Sequence, residues 1–147
     1  MSKVAIVGSR NFSDYLLLKA TLDKLDFVPT EIISGGAIGA DSLGERYAKE
    51  HNIVTNIFLP NWAEHGKKAG FLRNSDIVEA SDLVIAFWDS ESKGTLDSIN
   101  KAKKLGKDVQ VVLFGDAASA ASNKKRKSGI SEEPASKRTK SFENYFV

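Results

Sequence analysis

The chain has 147 residues, 41% of them hydrophobic, which is one ordinary domain with a real core plus an appendage. It contains no cysteine, which excludes a disulfide scaffold, a thiolate metal site and a cysteine nucleophile. The formal charge of +2 is unevenly spread: residues 1–114 hold 14 Lys+Arg against 15 Asp+Glu, and residues 115–147 hold seven against four. The domain is therefore no basic nucleic-acid platform, and the positive charge sits on the tail. The opening MSKVAIVGSRNF shows no secretory signal, and no apolar run approaches the roughly 18 residues of a membrane span.

In chain order, KVAIV at 3–7 is an apolar run of the kind found in buried strands. Ser13 is placed to cap a helix carrying Tyr15, Leu18, Leu22 and Leu25, with Pro29 after it. EIIS at 31–34 is the second strand. A helix follows over 41–51, with Leu43 and Tyr47 inward and His51 as a structural residue at its end. IVTNIF at 53–58 is the third strand, closed by Pro60. Residues 65–80 form a helix with a weak apolar stripe. LVIAFW at 83–88 is the fourth strand, 95–105 a helix ending at Gly106, and VQVVLF at 109–114 the fifth strand.

Apolar strands alternating with helices predict an α/β fold: a doubly wound, Rossmann-like, five-stranded parallel sheet in the order 3-2-1-4-5. In that topology the chain reverses direction between strands 1 and 4, and ligands bind there, at the carboxyl ends of the strands.

The unusual residues cluster at those ends: Gly8-Ser9-Arg10, then Gly35-Gly36-Ala37-Ile38-Gly39-Ala40-Asp41, then Asp89-Ser90-Glu91-Ser92-Lys93-Gly94-Thr95. Glycine admits a ligand close to the backbone, and a helix start offers free N–H groups with partial positive charge. Three such loops define a candidate phosphate site of Gly8, Ser9, Arg10, Gly35, Gly36, Gly39, Lys93, Gly94 and Thr95. Neither a P-loop sequence nor G-x-G-x-x-G after strand 1 is present. Asp41 belongs to the same group and reads as the N-cap of the helix behind it. A second group, Lys67, Gly70, Arg73 and Asn74, has the spacing of one helical face, with Arg73 for phosphate and Asn74 for a base or ribose. Trp62 and Trp88 have faces on which a base can stack, although Trp88 ends a buried strand. His65 is equally readable as a packing residue beside Trp62 or an acid–base group. No His, Asp or Glu cluster has metal-ligand spacing, so neither metal nor cofactor is expected.

Four segments carry a family resemblance: VAIVGSR at 4–10, SGGAIGAD at 34–41, WAEHGKKAGFLRN at 62–74 and FWDSESKGT at 87–95. Together they thread residues 1–114, and the chain resembles the SLOG superfamily, in its YspA-like group. The resemblance implies a Rossmann-like domain that binds a nucleotide or nucleotide-derived ligand. Its implied alternatives are a phosphoribohydrolase of the LOG type, which releases a base from a nucleoside monophosphate, and a nucleic-acid binder like DprA. LOG-type enzymes carry P-G-G-x-G-T-x-x-E, in which the Glu assists catalysis. Here Gly94 and Thr95 match, but Ser98 stands in place of the Glu and Asp97 is one position off, about 100° away on a helix. A carboxylate for catalysis would have to come from Asp41, Asp89 or Glu91.

The composition breaks at Gly115. No apolar residue larger than Ala occurs between Phe114 and Ile130, so residues 115–147 are expected to be a disordered tail. Lys124, Lys125, Arg126 and Lys127, with a second cluster at 137–140, read as nuclear localisation in a eukaryotic cell; otherwise the expected location is cytoplasmic. Phe142, Tyr145 and Phe146 match the PCNA-interacting box in spacing, with Thr139 where that box has Gln. A sliding clamp is the partner this implies, and a contact with the domain or within a homo-oligomer is the alternative.

Overall fold

A computed structural model describes residues 2–115. The expected tail, its basic clusters and the aromatics at 142–146 lie outside the described residues. The domain is an α/β sheet of five parallel strands in the order β3-β2-β1-β4-β5, as the alternation of elements implied. The strands are β1 (Lys3–Gly8), β2 (Glu31–Ser34), β3 (Val54–Ile57), β4 (Leu83–Trp88) and β5 (Asp108–Leu113). The helices are α1 (Tyr15–Asp23), α2 (Ala40–Glu50), α3 (Trp62–His65), α4 (Ala69–Ala80) and α5 (Lys93–Lys104), with a 3-10 turn at Gly66–Lys68 between α3 and α4. None of them is long and apolar enough to cross a membrane.

β1 and β4 are central and pair through five consecutive residues, Val4 with Leu83 to Gly8 with Phe87. Their alternate side chains feed two cores. Val4, Ile6, Ile85 and Phe87 pack with Leu18, Leu22, Tyr47 and Ala48 of α1 and α2 on one face. Ala5, Val7, Val84 and Ala86 pack with Ile77, Val78, Ile99 and Ala102 of α4 and α5 on the other. Strands buried on both faces need apolar residues at successive positions, which is why they read as continuous runs. Phe12 closes the upper end of the first core, stacked on Phe87 with ring centroids 4.7 Å apart and edge-on to Phe114 at 4.9 Å.

Three local expectations change. Asp14, not Ser13, caps α1: its Oδ1 accepts from the Leu17 N–H at 3.0 Å, the three-residue reach of an N-cap side chain. The single helix expected over 65–80 is broken, because Gly66 turns the chain with φ 58° after α3 and a fresh helix starts at Ala69. α5 starts at Lys93, two residues earlier than expected, because the Ser92 hydroxyl caps it by accepting from the Thr95 N–H at 3.3 Å.

Gly44, in the middle of α2, holds that helix against the sheet. A Cβ there would lie 2.8 Å from the Ile6 Cβ and 2.9 Å from its Cγ2. Overpacking of this kind costs about 1–3 kcal/mol, so Gly44→Ala is expected to destabilise the domain by that amount despite alanine's better helix propensity. Urea denaturation measures it, and an unchanged or raised midpoint would contradict the close packing.

Candidate functional site

The carboxyl ends of β1, β2 and β4 open onto a cleft of about 190 Å³ at the point where the sheet order reverses. Of the expected site residues, Gly8, Arg10, Asp41, Lys67, Arg73, Asn74, Gly94 and Thr95 line it, together with Trp62, Gly70, Phe71 and Ser98. Ser9, Gly35, Gly36, Gly39, Lys93, Asp89 and Glu91 do not.

The glycines divide by what surrounds them. A Cβ on Gly8 would lie 2.6 Å from both the Ala40 Cβ and the Phe87 carbonyl oxygen. Gly8 therefore lets the start of α2 come down onto β1. Gly39 has φ 89° and a virtual Cβ 2.5 Å from the Ser9 carbonyl oxygen, so it joins the loops after β1 and β2. Around Gly35 the space is filled by the Arg73 guanidinium and Asp41, and around Gly36 by Leu59 and Ile57. Only Gly94, among these five, has no atom within 4 Å of a virtual Cβ.

Asp41 is not the N-cap of α2. Gly39 occupies that position, without a side-chain cap bond. Asp41 lies in the first turn, 6% exposed, and its Oδ2 accepts from the backbone N–H groups of Gly35 at 2.9 Å and Ala37 at 3.4 Å. Burial pushes its carboxyl up to about 6; the N–H groups of Gly35 and Ala37 and the charge of Arg73 pull it down, and Glu45 adds a smaller upward push.

Arg73 and Asn74 do less ligand chemistry than their residue types promised. Arg73 Nη1 donates to the Gly35 carbonyl at 2.6 Å and the Phe58 carbonyl at 3.2 Å, and Nε donates to Asn74 Oδ1 at 3.1 Å. Only Nη2 has no hydrogen-bond partner among the described residues. The Asn74 amide donates to the Gly94 carbonyl at 3.3 Å and to Asp97 Oδ2 at 3.2 Å. With its oxygen also occupied, Asn74 is a brace between α4 and α5, and the expectation that it reads a base or ribose is corrected. Arg73 spends Nη1 on the carbonyls of the loops after β2 and β3, and Asn74 spends its amide on α5.

At the start of α5, the Ser92 hydroxyl takes the Thr95 N–H and leaves those of Lys93 and Gly94 without an intrahelical partner. These lie at the positive end of a 12-residue helix, and Gly94 faces the cleft. Ser98 lines the cleft one turn on, its hydroxyl donating to the Gly94 carbonyl at 3.4 Å. Asp97 lies off the cleft, paired with Lys101 at 2.7 Å. Of the three carboxylates offered for catalysis, Asp41 lines the cleft, whereas Asp89 and Glu91 do not. Asp89 Oδ1 accepts from the N–H groups of Glu91 and Ser92, both at 2.9 Å, and these bonds hold its carboxyl below the usual range. Asp89 thus shapes the turn into α5, and Glu91 is exposed beside it. Ser9 is buried, with its hydroxyl accepting from the Asp89 N–H at 3.4 Å.

Trp62, 55% exposed, and Phe71 form an aromatic rim. Trp88 is partly buried and packs against the second core, its indole N–H donating to the Ser92 carbonyl at 3.0 Å. His65 is exposed beside Glu64 and off the cleft, and His51 stacks on Tyr47 with centroids 3.9 Å apart. No group of three or more His, Asp or Glu that could hold a metal occurs among the described residues.

A family model described as the YspA, cpYpsA-related SLOG family matches residues 2–65. The gene 61 protein of Mycobacterium phage D29 is 36% identical over 125 residues, covering 79% of this chain and 98% of the phage protein. Two solved structures share the fold. DNA processing protein A (DprA) from Streptococcus pneumoniae superposes with a TM-score of 0.66 at 21% identity, over 78% of this chain and 51% of DprA. The TM1055 protein superposes with a TM-score of 0.52 at 23% identity, over 74% of this chain and 72% of its own. This chain thus spans about half the length of DprA. The chain belongs to the SLOG superfamily, in its YspA-related family.

The raised carboxyl of Asp41 makes a signed prediction. A buried acid whose folded pKa of about 6 exceeds its unfolded value of 3.8 contributes stability below the unfolded value and loses it as pH rises through 6. Relative to Asp41→Asn, the wild type is expected to lose on the order of 3 kcal/mol between pH 3 and pH 7. Urea melts of both proteins across that range test this, and parallel curves would refute it.

Proposed function

We propose that the cleft binds a phosphate-bearing nucleotide or nucleotide-derived ligand, and that the domain is a binding module. The observation that carries this reading is the open face of Gly94. Its N–H stands free at the start of α5, and no protein atom occupies the space a side chain would take. A phosphate fits that chemistry, because it accepts from free amides and is favoured by the helix dipole. Arg10 and Lys67 supply mobile positive charge on the cleft wall, and Arg73 Nη2 a braced one. Trp62 and Phe71 supply an apolar rim for a base.

The hydrolytic alternative lacks the LOG-type Glu, and the one carboxylate lining the cleft among the described residues, Asp41, has its Oδ2 committed to the Gly35 and Ala37 amides. Ser98 occupies the position of the LOG-type Glu, and a hydroxyl neither stabilises an oxocarbenium-like charge nor activates water as a carboxylate does. The nucleic-acid alternative lacks the basic footprint that backbone phosphates require, since residues 1–114 carry more acidic than basic side chains.

Isothermal calorimetry with a panel of nucleoside monophosphates, ADP-ribose and cyclic nucleotides tests the reading. Arg10→Ala and Gly94→Ala are each expected to weaken the ligand found by about tenfold or more, through a lost charged hydrogen bond and a methyl group placed in the phosphate's space. Gly94→Ala should leave the thermal midpoint unchanged or slightly raised, since the methyl meets nothing in the free protein. If both variants bind as the wild type does, the phosphate is elsewhere. In a second assay, free base should not accumulate when AMP is incubated with the wild type beside an active LOG-type enzyme. Robust release would return the protein to the enzymes.

A further inference from the structure

Asp41 is the single carboxylate lining the cleft among the described residues, and only half of it is used. Oδ2 accepts from the Gly35 and Ala37 amides. Oδ1 has no hydrogen-bond partner among the described residues, and none of their ion pairs includes Asp41. The side chain is 6% exposed, so bulk water does little to solvate that oxygen. A buried acceptor left unpaired is rare and requires an explanation. Arg73, the cation whose charge acts on Asp41, does not supply one: it forms neither a hydrogen bond nor an ion pair with Asp41.

A phosphate cannot pair with this oxygen, since two anions would face each other in a poorly solvated wall. A neutral donor can. The anion site at Gly94 belongs to α5 and the free carboxylate oxygen to α2, two helices that start on different loops around the same cleft. The ligand these two features select carries both a phosphate and a hydroxyl donor. We propose that Asp41 Oδ1 accepts a hydrogen bond from a sugar hydroxyl of the ligand, the 2′- or 3′-hydroxyl of a ribose 5-phosphate unit, and so makes the site selective for ribo over deoxyribo ligands. The assignment rests on the phosphate-binding reading of the cleft. It requires an ionised or at least accepting carboxyl oxygen and no catalytic step.

Calorimetry on the full chain tests it with the four ribonucleoside 5′-monophosphates, their 2′-deoxy and 3′-deoxy counterparts, ribose 5-phosphate, 2-deoxyribose 5-phosphate and inorganic phosphate. For the wild type, loss of one of the two hydroxyls is expected to weaken binding at least tenfold, because it leaves the buried oxygen unpaired. Asp41→Asn should reduce that preference to about threefold or less, whereas Arg10→Ala should weaken ribo and deoxy forms in equal proportion. Deoxy forms that bind within threefold of the ribo form overturn the role of Asp41 while leaving nucleotide binding in place. This wild-type comparison holds even if Asp41→Asn does not fold. Binding of ribose 5-phosphate with a preference over its deoxy form, but of no nucleotide, keeps the assignment and removes the nucleotide reading. Binding of nothing in the panel, or of inorganic phosphate as tightly as any sugar phosphate, overturns the assignment.

Discussion

The cleft depends on how the backbone of residues 35–37 is tied down. This stretch leaves β2 and has no strand or helix to satisfy its polar groups. Asp41 takes the Gly35 and Ala37 amides, Arg73 takes the Gly35 carbonyl, and the Ser34 hydroxyl takes the Gly36 amide at 3.2 Å. Two of these side chains bear opposite charges and come from different helices, so the loop joins α2 to α4 across the end of the sheet. Gly35 sits between them: a virtual Cβ there lies 2.4 Å from Arg73 Nη1 and 2.9 Å from Asp41 Oδ2. No side chain fits without displacing one tie. A loop whose three amides and first carbonyl are all held in this way is restrained, and restraint is what a binding wall needs.

This arrangement gives the glycines two separate jobs. Gly8 and Gly39 let protein approach protein, bringing the start of α2 over the end of β1 and locking the first two loops together. Gly94 leaves room for something that is not protein. The same residue type after successive strands thus builds the wall in one place and opens it in another. The cations divide in the same way. Arg73 is largely consumed by structure, while Arg10 is exposed and makes no hydrogen bond to the described residues.

Membership of the SLOG superfamily and the likeness to DprA and TM1055 concern the scaffold, and at 21% and 23% identity the two structures speak to fold alone. What the cleft does is a matter of its own side chains. Here that means Ser98 where LOG-type enzymes have a carboxylate, and an Asp41 that holds the Gly35 and Ala37 amides instead of capping α2. Trp62 and Phe71 at the rim extend the same cleft outward, since about 190 Å³ is less than the few hundred cubic ångströms that usually enclose a ligand of this class.

The sheet order was legible because buried parallel strands require continuous apolar runs, as in LVIAFW at 83–88, and right-handed crossovers leave few ways to connect them. The location of the cleft followed from that order, and Lys67, Gly70, Arg73 and Asn74 all line it, although Lys67 belongs to the turn before α4 and the other three to the helix. The roles within the cleft were not legible. Asp41 looked like a cap because Asp before an apolar helix usually is one, and only the approach of Gly35 and Ala37, six and four residues earlier, shows where its carboxylate goes. Asn74 looked like a reader of ligand, and only the contact of α4 with α5 reveals that its amide is spent on Gly94 and Asp97. Sequence periodicity reports which face of an element is buried, a property of the element alone. Whether a polar group on that face is satisfied by protein or left open to a ligand depends on atoms distant in the chain, and so is decided only when the elements pack.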